Sequence, residues 1–311
     1  MFRLTQSSHK ASMSGHRIQH PKNLCGTGLR PKHYSYVSEN PTQMGFFEII
    51  SENYMDSEGR PRAVLRQLRE TYPICMHGVS MSLGSAHGLR KDYLKRLKAL
   101  ADETEPFLVS DHLCFTQTSA HNSHDLLPLP FTRAMAKIVA QNIDMAQTTL
   151  RRTIAVENVS SYLTWRESEM SEWDFLREVV SLSGCKILFD INNVYVNASN
   201  HGYSAMESLN AIDAKDVAEI HMAGFTDMGD YLFDTHSKPV HKAVWKLFEA
   251  VAIKFSAVPA MIERDDDIPA FPVLEKEVMR MAQIREQASG PGLPVVRRAR
   301  ASLRLRSAVK P

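Results

Sequence analysis

The fold is first indicated by the stretch Lys186-Ile-Leu-Phe-Asp-Ile-Asn-Asn-Val-Tyr-Val196. It begins as a continuous apolar run, which is typical of a strand buried on both faces of a parallel sheet. Asp190, Asn192 and Asn193 follow, and we expect the strand to give way to a loop there. Parallel β/α proteins keep their chemistry at this end of their strands. The stretch therefore predicts a buried strand with a functional site at its carboxyl end.

Five other apolar runs also end in histidine or carboxylate residues. They are Ile74-Cys-Met-His-Gly78, Phe107-Leu-Val-Ser-Asp-His112, Thr153-Ile-Ala-Val-Glu-Asn158, Glu219-Ile-His-Met-Ala223 and Ala260-Met-Ile-Glu-Arg-Asp265. Residues 26–30 and 45–51 are two further candidate strands, and segments with helical spacing, such as 131–150 and 171–182, alternate with the strands. This order predicts a (β/α)₈ TIM barrel. An open doubly wound sheet is the alternative, but it would not bring all eight strands to one point.

Composition and charge divide the chain into three parts. A hydrophobic content of 43% over 311 residues suffices for one large core, and no apolar run approaches the roughly 20 residues of a membrane span. Residues 1–22 carry no acidic residue, residues 285–311 are rich in arginine, and residues 23–284 hold 26 basic and 34 acidic residues. We expect a basic flexible leader (1–22), a catalytic barrel domain (23–284) and an Arg-rich disordered tail (285–311).

The cysteines indicate the compartment. Cys25, Cys75, Cys114 and Cys185 form no Cys-x-x-Cys pair and lie in or beside apolar runs. This pattern favours a reduced, cytoplasmic chain over a disulfide framework.

The strand ends together predict a metal site. A lone histidine on a buried strand is more often a hydrogen-bonded core residue, but a group of buried histidines and carboxylates without a metal would be costly. Asp234-Thr-His236, in the loop after the seventh strand, adds two side chains on one side of an extended segment. The candidate donors exceed what one ion uses, so we expect two or three bridged ions. They are His77, His112, Glu157, Asp190, Asn193, His221, Asp234, His236 and Glu263.

An ordered set of motifs over roughly residues 24–284 resembles one family, the multinuclear non-heme iron-dependent oxidative enzymes, which include the methanobactin-maturing oxidase. The motifs include Gly28-Leu-Arg-Pro31, Ser51-Glu-Asn-Tyr54, His77-Gly-Val-Ser80, Ser110-Asp-His-Leu113, Asp125-Leu-Leu-Pro-Leu-Pro130, Glu157-Asn-Val-Ser-Ser-Tyr162, Asp190-Ile-Asn-Asn-Val-Tyr195, Glu219-Ile-His-Met-Ala-Gly224, Asp234-Thr-His236 and Ile262-Glu-Arg-Asp265.

This resemblance implies a xylose-isomerase-like barrel with two or three irons in mixed Fe(II)/Fe(III) states and O₂ as co-substrate. It implies oxidation of a cysteine-containing, ribosomally made precursor peptide to an oxazolone with thioamide, a thiooxazole or a related product. A small partner protein that recognises the peptide is also implied. Neither a membrane nor a nucleic acid is an expected partner, since an acidic body suits a polyanion poorly.

The resemblance also assigns roles to residues. The nine candidate donors would be iron ligands, with Glu157 as the bridge, and Glu157, Asp190 and His112 would be catalytic. Asn158, Asn192 and Asp265 would support the ligands. From their place after the second strand, we expect Glu48, Glu52 and Asn53 to line the pocket.

Two other metal enzymes remain open as alternatives. The ligand order also resembles the trinuclear-zinc endonucleases that cleave at abasic DNA sites, although Asn193 stands where that family has a histidine. A divalent-metal sugar isomerase would explain Glu157, Asp190, His221 and Glu263 but leaves the other histidines without a task. Zinc or manganese could therefore replace iron, because imidazole and carboxylate ligands suit all three metals.

Overall fold

The computed structural model describes residues 24–117 and 122–289. The strands in chain order are β1 (Cys25–Gly28), β2 (Phe47–Ile50), β3 (Ile74–Gly78), β4 (Leu108–His112), β5 (Phe115–Gln117), β6 (Asn122–Leu127), β7 (Ala155–Glu157), β8 (Lys186–Asp190), β9 (Val217–Met222), β10 (Thr226–Asp227), β11 (Leu232–Phe233) and β12 (Ala260–Ile262). Eight of them close into a parallel barrel in the order β1-β12-β9-β8-β7-β4-β3-β2, which confirms the predicted fold.

Helices connect the barrel strands. They are α1 (Tyr34–Glu39), α2 (Glu52–Met55), α3 (Arg60–Leu68), α4 (Lys91–Thr104), α5 (Arg133–Leu150), α6 (Glu172–Ser183), α7 (Ile191–His201), α8 (Ala205–Ala211), α9 (Lys242–Val251) and α10 (Phe271–Ser289), with 3₁₀ turns at Pro31–His33 and Ala214–Asp216. Among these described helices, none combines the length and the apolar character that crossing a membrane requires.

Helix ends follow local sequence chemistry. The Thr132 side chain accepts a hydrogen bond from the backbone N–H of Met135, so α5 begins two residues after the predicted start at 131. Ser171 caps α6 as predicted, by accepting from the N–H of Asp174. Val139 and Ile143, on the predicted apolar face of α5, are fully buried.

The barrel interior has an apolar layer and a polar layer. Phe46, Leu108, Leu188 and Met261 pack with Cys75 and Ala155 in a cluster separate from the main core. Side chains alternate along a strand, so the residue two positions further on points into the same interior. Those positions hold Glu48, His77, Ser110, Glu157, Asp190 and Glu263. The apolar layer therefore closes the barrel beneath a polar layer at the carboxyl ends of the strands.

Two expectations need correction. The strand ending at Asp190 passes directly into α7 rather than into a loop, because the Asp190 carboxylate caps the helix. The predicted boundary at 284/285 lies inside α10, and Arg285 is buried, where it donates to the carbonyls of Phe255 and Ser256. The predicted leader and the tail from residue 290 lie outside the described residues.

Candidate metal centre

Strand register brings the predicted donors together at one end of the barrel. In neighbouring strands, His112 lies opposite Glu157, and Asp190 lies opposite His221. His77 is the next-to-last residue of β3, and Glu263 follows β12 directly. All of these side chains therefore meet at the carboxyl end of the barrel, where (β/α)₈ enzymes have their active sites.

The first group of donors consists of His77, His112 and Glu157. Glu157 Oε2 lies 3.0 Å from His77 Nε2 and 3.3 Å from His112 Nε2, and the two imidazole nitrogens are 3.3 Å apart. Ligands at about 2.0–2.2 Å from a metal ion lie roughly 3 Å from one another. These three atoms therefore have the spacing of one face of a coordination shell.

The second group consists of Glu157, Asp190, His221 and Glu263, whose ligand atoms lie within 4.8 Å of one another. His221 Nδ1 lies 2.9 Å from Glu263 Oε2 and 3.9 Å from Glu157 Oε1. Glu157 thus belongs to both groups and presents a different oxygen to each. A carboxylate in this position is suited to bridge two metal ions.

The third group consists of His236, Glu263 and Asp265. His236 Nδ1 lies 3.1 Å from Glu263 Oε2 and 3.3 Å from Asp265 Oδ2, while its Nε2 lies 2.8 Å from Asp234 Oδ1 and 3.7 Å from Asp190 Oδ2. Glu263 is shared between the second and third groups, as Glu157 is between the first and second. The three groups therefore form one continuous set of donors.

Two oxygen atoms of the centre are buried without a hydrogen-bond partner among the described residues. They are Asp190 Oδ2 and Asn193 Oδ1. Leaving such atoms unsatisfied in a protein interior is costly, and native structures rarely do so. Metal ions of the kind that imidazole and carboxylate ligands hold would satisfy both atoms, so the residues fit a multinuclear centre.

Partners behind the ligands orient the imidazole rings. His112 Nδ1 lies 2.9 Å from the carbonyl oxygen of Gly78, which only accepts, so Nδ1 carries the proton and Nε2 faces Glu157 with its lone pair. His77 Nδ1 contacts Ser110 Oγ at 2.8 Å, and His221 Nε2 contacts Glu48 Oε2 at 3.2 Å. Each ring thus presents its other nitrogen to the donor groups.

The asparagines of the centre build the frame around Asp190. Asn158 accepts from the backbone N–H of Asp190 and donates to its carbonyl oxygen, both at 3.0 Å. Asn193 donates to the carbonyl of Asn158 at 3.1 Å, and Asn192 donates to Asp234 Oδ1 at 2.7 Å. Asn158 and Asn192 therefore contact Asp190 and Asp234 from behind, and their supporting role stays a prediction.

Burial and neighbouring charge shift the pKa values in opposite directions. Burial alone would lower the pKa of His77, but the Glu157 carboxylate raises it to about 10. Burial would raise the pKa of Glu157, but His112 and His77 lower it to about 2. Burial raises the pKa of Asp190 well above its usual range; His236 opposes this shift, and Glu157 and Asp234 add to it. Without metal, protons bound to these side chains offset part of the negative charge that a metal cation would otherwise neutralise.

Backbone geometry fixes the loop that carries Asp234 and His236. His236 has a φ of 47°, a left-handed conformation that is uncommon for histidine, and its carbonyl accepts the backbone N–H of Asp265 at 3.0 Å. A Cβ atom at Gly224 would collide with the carbonyl oxygens of Lys238 and Pro239, so only glycine allows the loop to approach β9 this closely. Strain of this kind concentrates at functional sites.

Not every predicted pocket residue lies in the cavity. Glu48 is fully buried beneath His221, Glu52 accepts from the N–H of Val79 and the hydroxyl of Tyr93, and Asn53 is exposed on α2. None of these three residues lines the cavity above the donors. The expectation that they form its wall fails because Glu48 lies below His221 and Glu52 is held by Val79 and Tyr93.

Arg30 is a part of the centre that sequence reasoning left without a role. Its Nη2 donates to Asp265 Oδ1 at 2.7 Å and lies 3.9 Å from Glu263 Oε1, and the side chain is 4% exposed. A buried guanidinium beside two carboxylates holds them in place and offsets their charge. Its signal was present in the motif Gly28-Leu-Arg-Pro31, whose arginine had no assigned task.

A cavity of about 370 Å³ opens above the donor groups. Its floor includes His77, His112, Glu157, Asn193, Asp234, His236 and Glu263, and its walls include Ile50, Val79, Thr116, Leu126 and Ser160. Thr116 Oγ1 is buried and has no hydrogen-bond partner among the described residues. The cavity can therefore take a side chain with a short piece of its backbone, with donor atoms directly below.

Comparisons with known proteins identify the fold and the family of this chain. A UPF0276 protein of Rhizorhabdus wittichii is 48% identical over 259 residues, covering 83% of this chain and 93% of the relative. Among solved structures, a xylose isomerase domain protein from Planctomyces limnophilus has a TM-score of 0.55 at 12% identity and covers 87% of this chain and 99% of its own. Endonuclease IV from Thermus thermophilus has a TM-score of 0.50 at 15% identity, with 83% and 97% covered.

Both solved structures share the fold, and the first confirms the xylose-isomerase-like barrel. A family model described as "RiPP precursor modification enzyme MbnB/TglH/ChrH" matches residues 24–286, where RiPP denotes a ribosomally made, post-translationally modified peptide. That match covers most of the chain and includes all the donor residues of the centre. The chain accordingly belongs to the MbnB/TglH/ChrH family of RiPP precursor modification enzymes.

Proposed function

We propose that this enzyme is a multinuclear iron-dependent oxidase that uses O₂ to modify a cysteine of a ribosomally made peptide. The observation that carries the proposal is the chain of three donor groups, which share Glu157 and Glu263 and lie beneath one open cavity. Sharing of carboxylates supports adjacent ions, and adjacent ions suit a reaction that moves more than one electron. Membership of a peptide-modifying family supports the class of substrate.

In this proposal the ligands are those expected from the sequence. His77, His112, Asp190, Asn193, His221, Asp234, His236 and Glu263 would hold the ions, with Glu157 between two of them, and Glu157, Asp190 and His112 would border the reacting atoms. Bound iron would supply the electron-accepting and O₂-activating chemistry. Asp265, which the third group contains, is placed to act as a further ligand or to hold His236.

The cavity suits a peptide side chain better than a folded nucleic acid. Its volume of about 370 Å³ is that of one or two residues, and its walls combine apolar side chains with the Thr116 hydroxyl, which has no partner among residues 24–117 and 122–289. Thr116 Oγ1 can donate to a peptide carbonyl and so fix the backbone of the reacting residue. Ile50 and Val79 exclude water from the thiol beside them. An acidic body also favours a neutral or basic peptide over a polyanion.

A reaction test separates this proposal from a hydrolase. Protein loaded anaerobically with iron is mixed with a cysteine-bearing peptide encoded beside its gene, then exposed to O₂, and the peptide mass is followed. We expect an O₂-dependent mass change on the cysteine-containing fragment and none with zinc-loaded protein. Cleavage of an abasic-site DNA duplex by the zinc form, with an unchanged peptide, would replace the proposal by the endonuclease alternative.

A further inference from the structure

A second cavity lies directly beside the metal cavity. It has a volume of about 580 Å³, and the chain segment after β7 separates the two: Ser160 lines the metal cavity and the next residue, Ser161, lines the second. Tyr162 lies in the same wall, and its hydroxyl accepts the backbone N–H of Asp234 at 2.9 Å. A molecule that fills the metal cavity can therefore extend over this wall into its neighbour.

The walls of the second cavity are aromatic and aliphatic. Leu163, Trp165 and Tyr203 are 50%, 39% and 40% exposed, which is high for large apolar side chains, and Trp173 is almost fully buried within the wall. Exposed apolar patches beside a site are typical of surfaces that bind another molecule. Aromatic faces bind the guanidinium of arginine and the ammonium of lysine well.

Two carboxyl groups make the cavity favourable for a cation. Glu172, at the start of α6, and Glu207, on α8, both line it, and no described lysine or arginine forms an ion pair with either. Arg177, the arginine among the lining residues, is already paired with Asp174. Burial raises the pKa of Glu172 to about 8, although a hydrogen bond from Asn197 opposes this shift. A cation bound beside Glu172 would lower this pKa again and would supply a basic partner that the described residues do not provide.

We infer that the second cavity binds an arginine or lysine side chain of the substrate peptide, with the alkyl stem along Trp165 and Tyr203 and the charged group at Glu172. The inference rests on the proposed function for the identity of the peptide, but the binding site itself does not need the oxidation. It makes the enzyme selective for a basic residue near the residue that is modified.

The distance between the two cavities sets the spacing between the modified residue and the basic residue of the peptide. The volumes correspond to spheres whose centres lie roughly 10–14 Å apart across the shared wall, and an extended chain advances about 3.3–3.6 Å per residue. The basic residue therefore lies about three or four positions from the residue in the metal cavity. The direction in which the peptide crosses Ser160 and Ser161 determines whether the basic residue lies on the N-terminal or the C-terminal side of the modified residue.

Binding is tested first on metal-free protein, by intrinsic fluorescence, because Trp165 and Trp173 both line the cavity. The probe is Nα-acetyl-argininamide, and the control ligand is Nα-acetyl-citrullinamide, which has nearly the same shape without the charge. We expect saturable quenching by the arginine compound and an affinity about tenfold lower for the citrulline compound, as the loss of a charge-assisted hydrogen bond implies. Equal affinities would overturn the inference.

Two variants locate the binding. Glu172→Gln should lower the affinity for the arginine compound about tenfold and leave the affinity for the citrulline compound unchanged. Trp165→Ala should lower the affinity for both compounds. Glu167→Gln, an exposed residue of the same loop, should change neither. Unaltered arginine binding by Glu172→Gln, in protein with an unchanged circular dichroism spectrum, would contradict the inference even if peptide oxidation were found.

The same comparison made with peptides then separates the proposed binding site from the proposed oxidase function. With iron-loaded protein, a peptide with arginine three or four positions from cysteine should have a lower KM than its citrulline counterpart, at a similar kcat. Oxidation without this difference in KM would refute the binding site and keep the oxidase. Arginine-selective binding without oxidation would keep the binding site and refute the oxidase.

Discussion

Glu157 is the residue on which the proposed centre depends most, because its two oxygens face different donors. Oε2 lies near His77 and His112, and Oε1 lies on the side of His221. The side chain is 1% exposed. Its neighbours His77 and His112 are held by contacts from behind, and this leaves Glu157 as the common member of the first two groups.

Glu157→Gln should remove the bridge with little change of shape. The amide carries no charge, and one of the two carboxylate oxygens that could bind a metal ion is replaced by an NH₂ group, which repels a cation. We expect the iron content after anaerobic reconstitution to fall below half that of the wild type. Glu167→Gln, an exposed control, should bind the wild-type amount. A full metal complement in Glu157→Gln would show that this carboxylate does not bridge.

Protons and metal ions should compete for the same donors. In metal-free protein the pKa of His77 is about 10 and that of His221 lies well above its usual range, because nearby carboxylates outweigh burial. These rings are protonated at neutral pH and must lose their protons on binding metal. Affinity should therefore fall as the pH falls, by about tenfold per pH unit or more between pH 8 and 6. A pH-independent affinity in chelator competition would contradict this coupling.

Most of the residues that lie together at the carboxyl end of the barrel could be predicted from the sequence, because strand alternation and strand ends are local patterns. His77, His112, Glu157 and Asp190 each close an apolar run, and the barrel register then brings them together. It left Arg30 without a role and placed Glu52 and Asn53 in the cavity. Side-chain contacts between distant strands and the direction of a helix after its strand are tertiary properties that spacing does not encode.

At the scale of elements, the junction of β8 and α7 links the fold to the centre. Asp190 Oδ1 accepts the N–H of Asn193 at 2.7 Å and starts the helix, while Oδ2, which has no hydrogen-bond partner in the described part of the chain, lies 3.7 Å from His236 Nε2. One carboxylate thus has a structural oxygen and a free oxygen. The sequence predicted a loop here because the asparagines are typical of turns, whereas the cap turns them into the first turn of a helix.

Substitutions at Asp190 should separate these two tasks. Asp190→Asn keeps an oxygen that can cap α7, and Asp190→Ala loses the cap, which costs about 1 kcal/mol. We expect both variants to bind less metal, but only the alanine variant to lose stability in urea unfolding with a chelator present. Equal stabilities for the two variants would show that the cap contributes nothing.

Gly224→Ala tests the close approach of the loop that carries His236. The new methyl group meets the carbonyl oxygens of Lys238 and Pro239, which are backbone atoms and have no rotamer by which to move away. The loop must shift, and the third donor group should loosen before the first one does. We expect one ion fewer per chain, with a folded barrel by circular dichroism. An unchanged metal content would mean that the loop accommodates the methyl group without moving His236.

On the scale of the whole molecule, a closed barrel supplies a rigid frame. The candidate donors lie on or just after six of its strands and on the loop that follows β9. The apolar layer of Phe46, Leu108, Leu188 and Met261 seals one end, so ions and substrate reach the centre from the other end. Around that entrance lie the metal cavity and the cavity with Glu172 and Trp165. This division explains how one fold serves unrelated reactions: the frame is common, and the residues at its open end differ.

The most direct test of the central claim is the metal content of protein purified without oxygen from iron-supplemented cells, combined with Mössbauer and EPR spectroscopy. The account predicts two or more irons per chain, including an antiferromagnetically coupled pair of Fe(II) and Fe(III). Three zinc ions per chain with no bound iron would contradict it and would direct attention to hydrolysis.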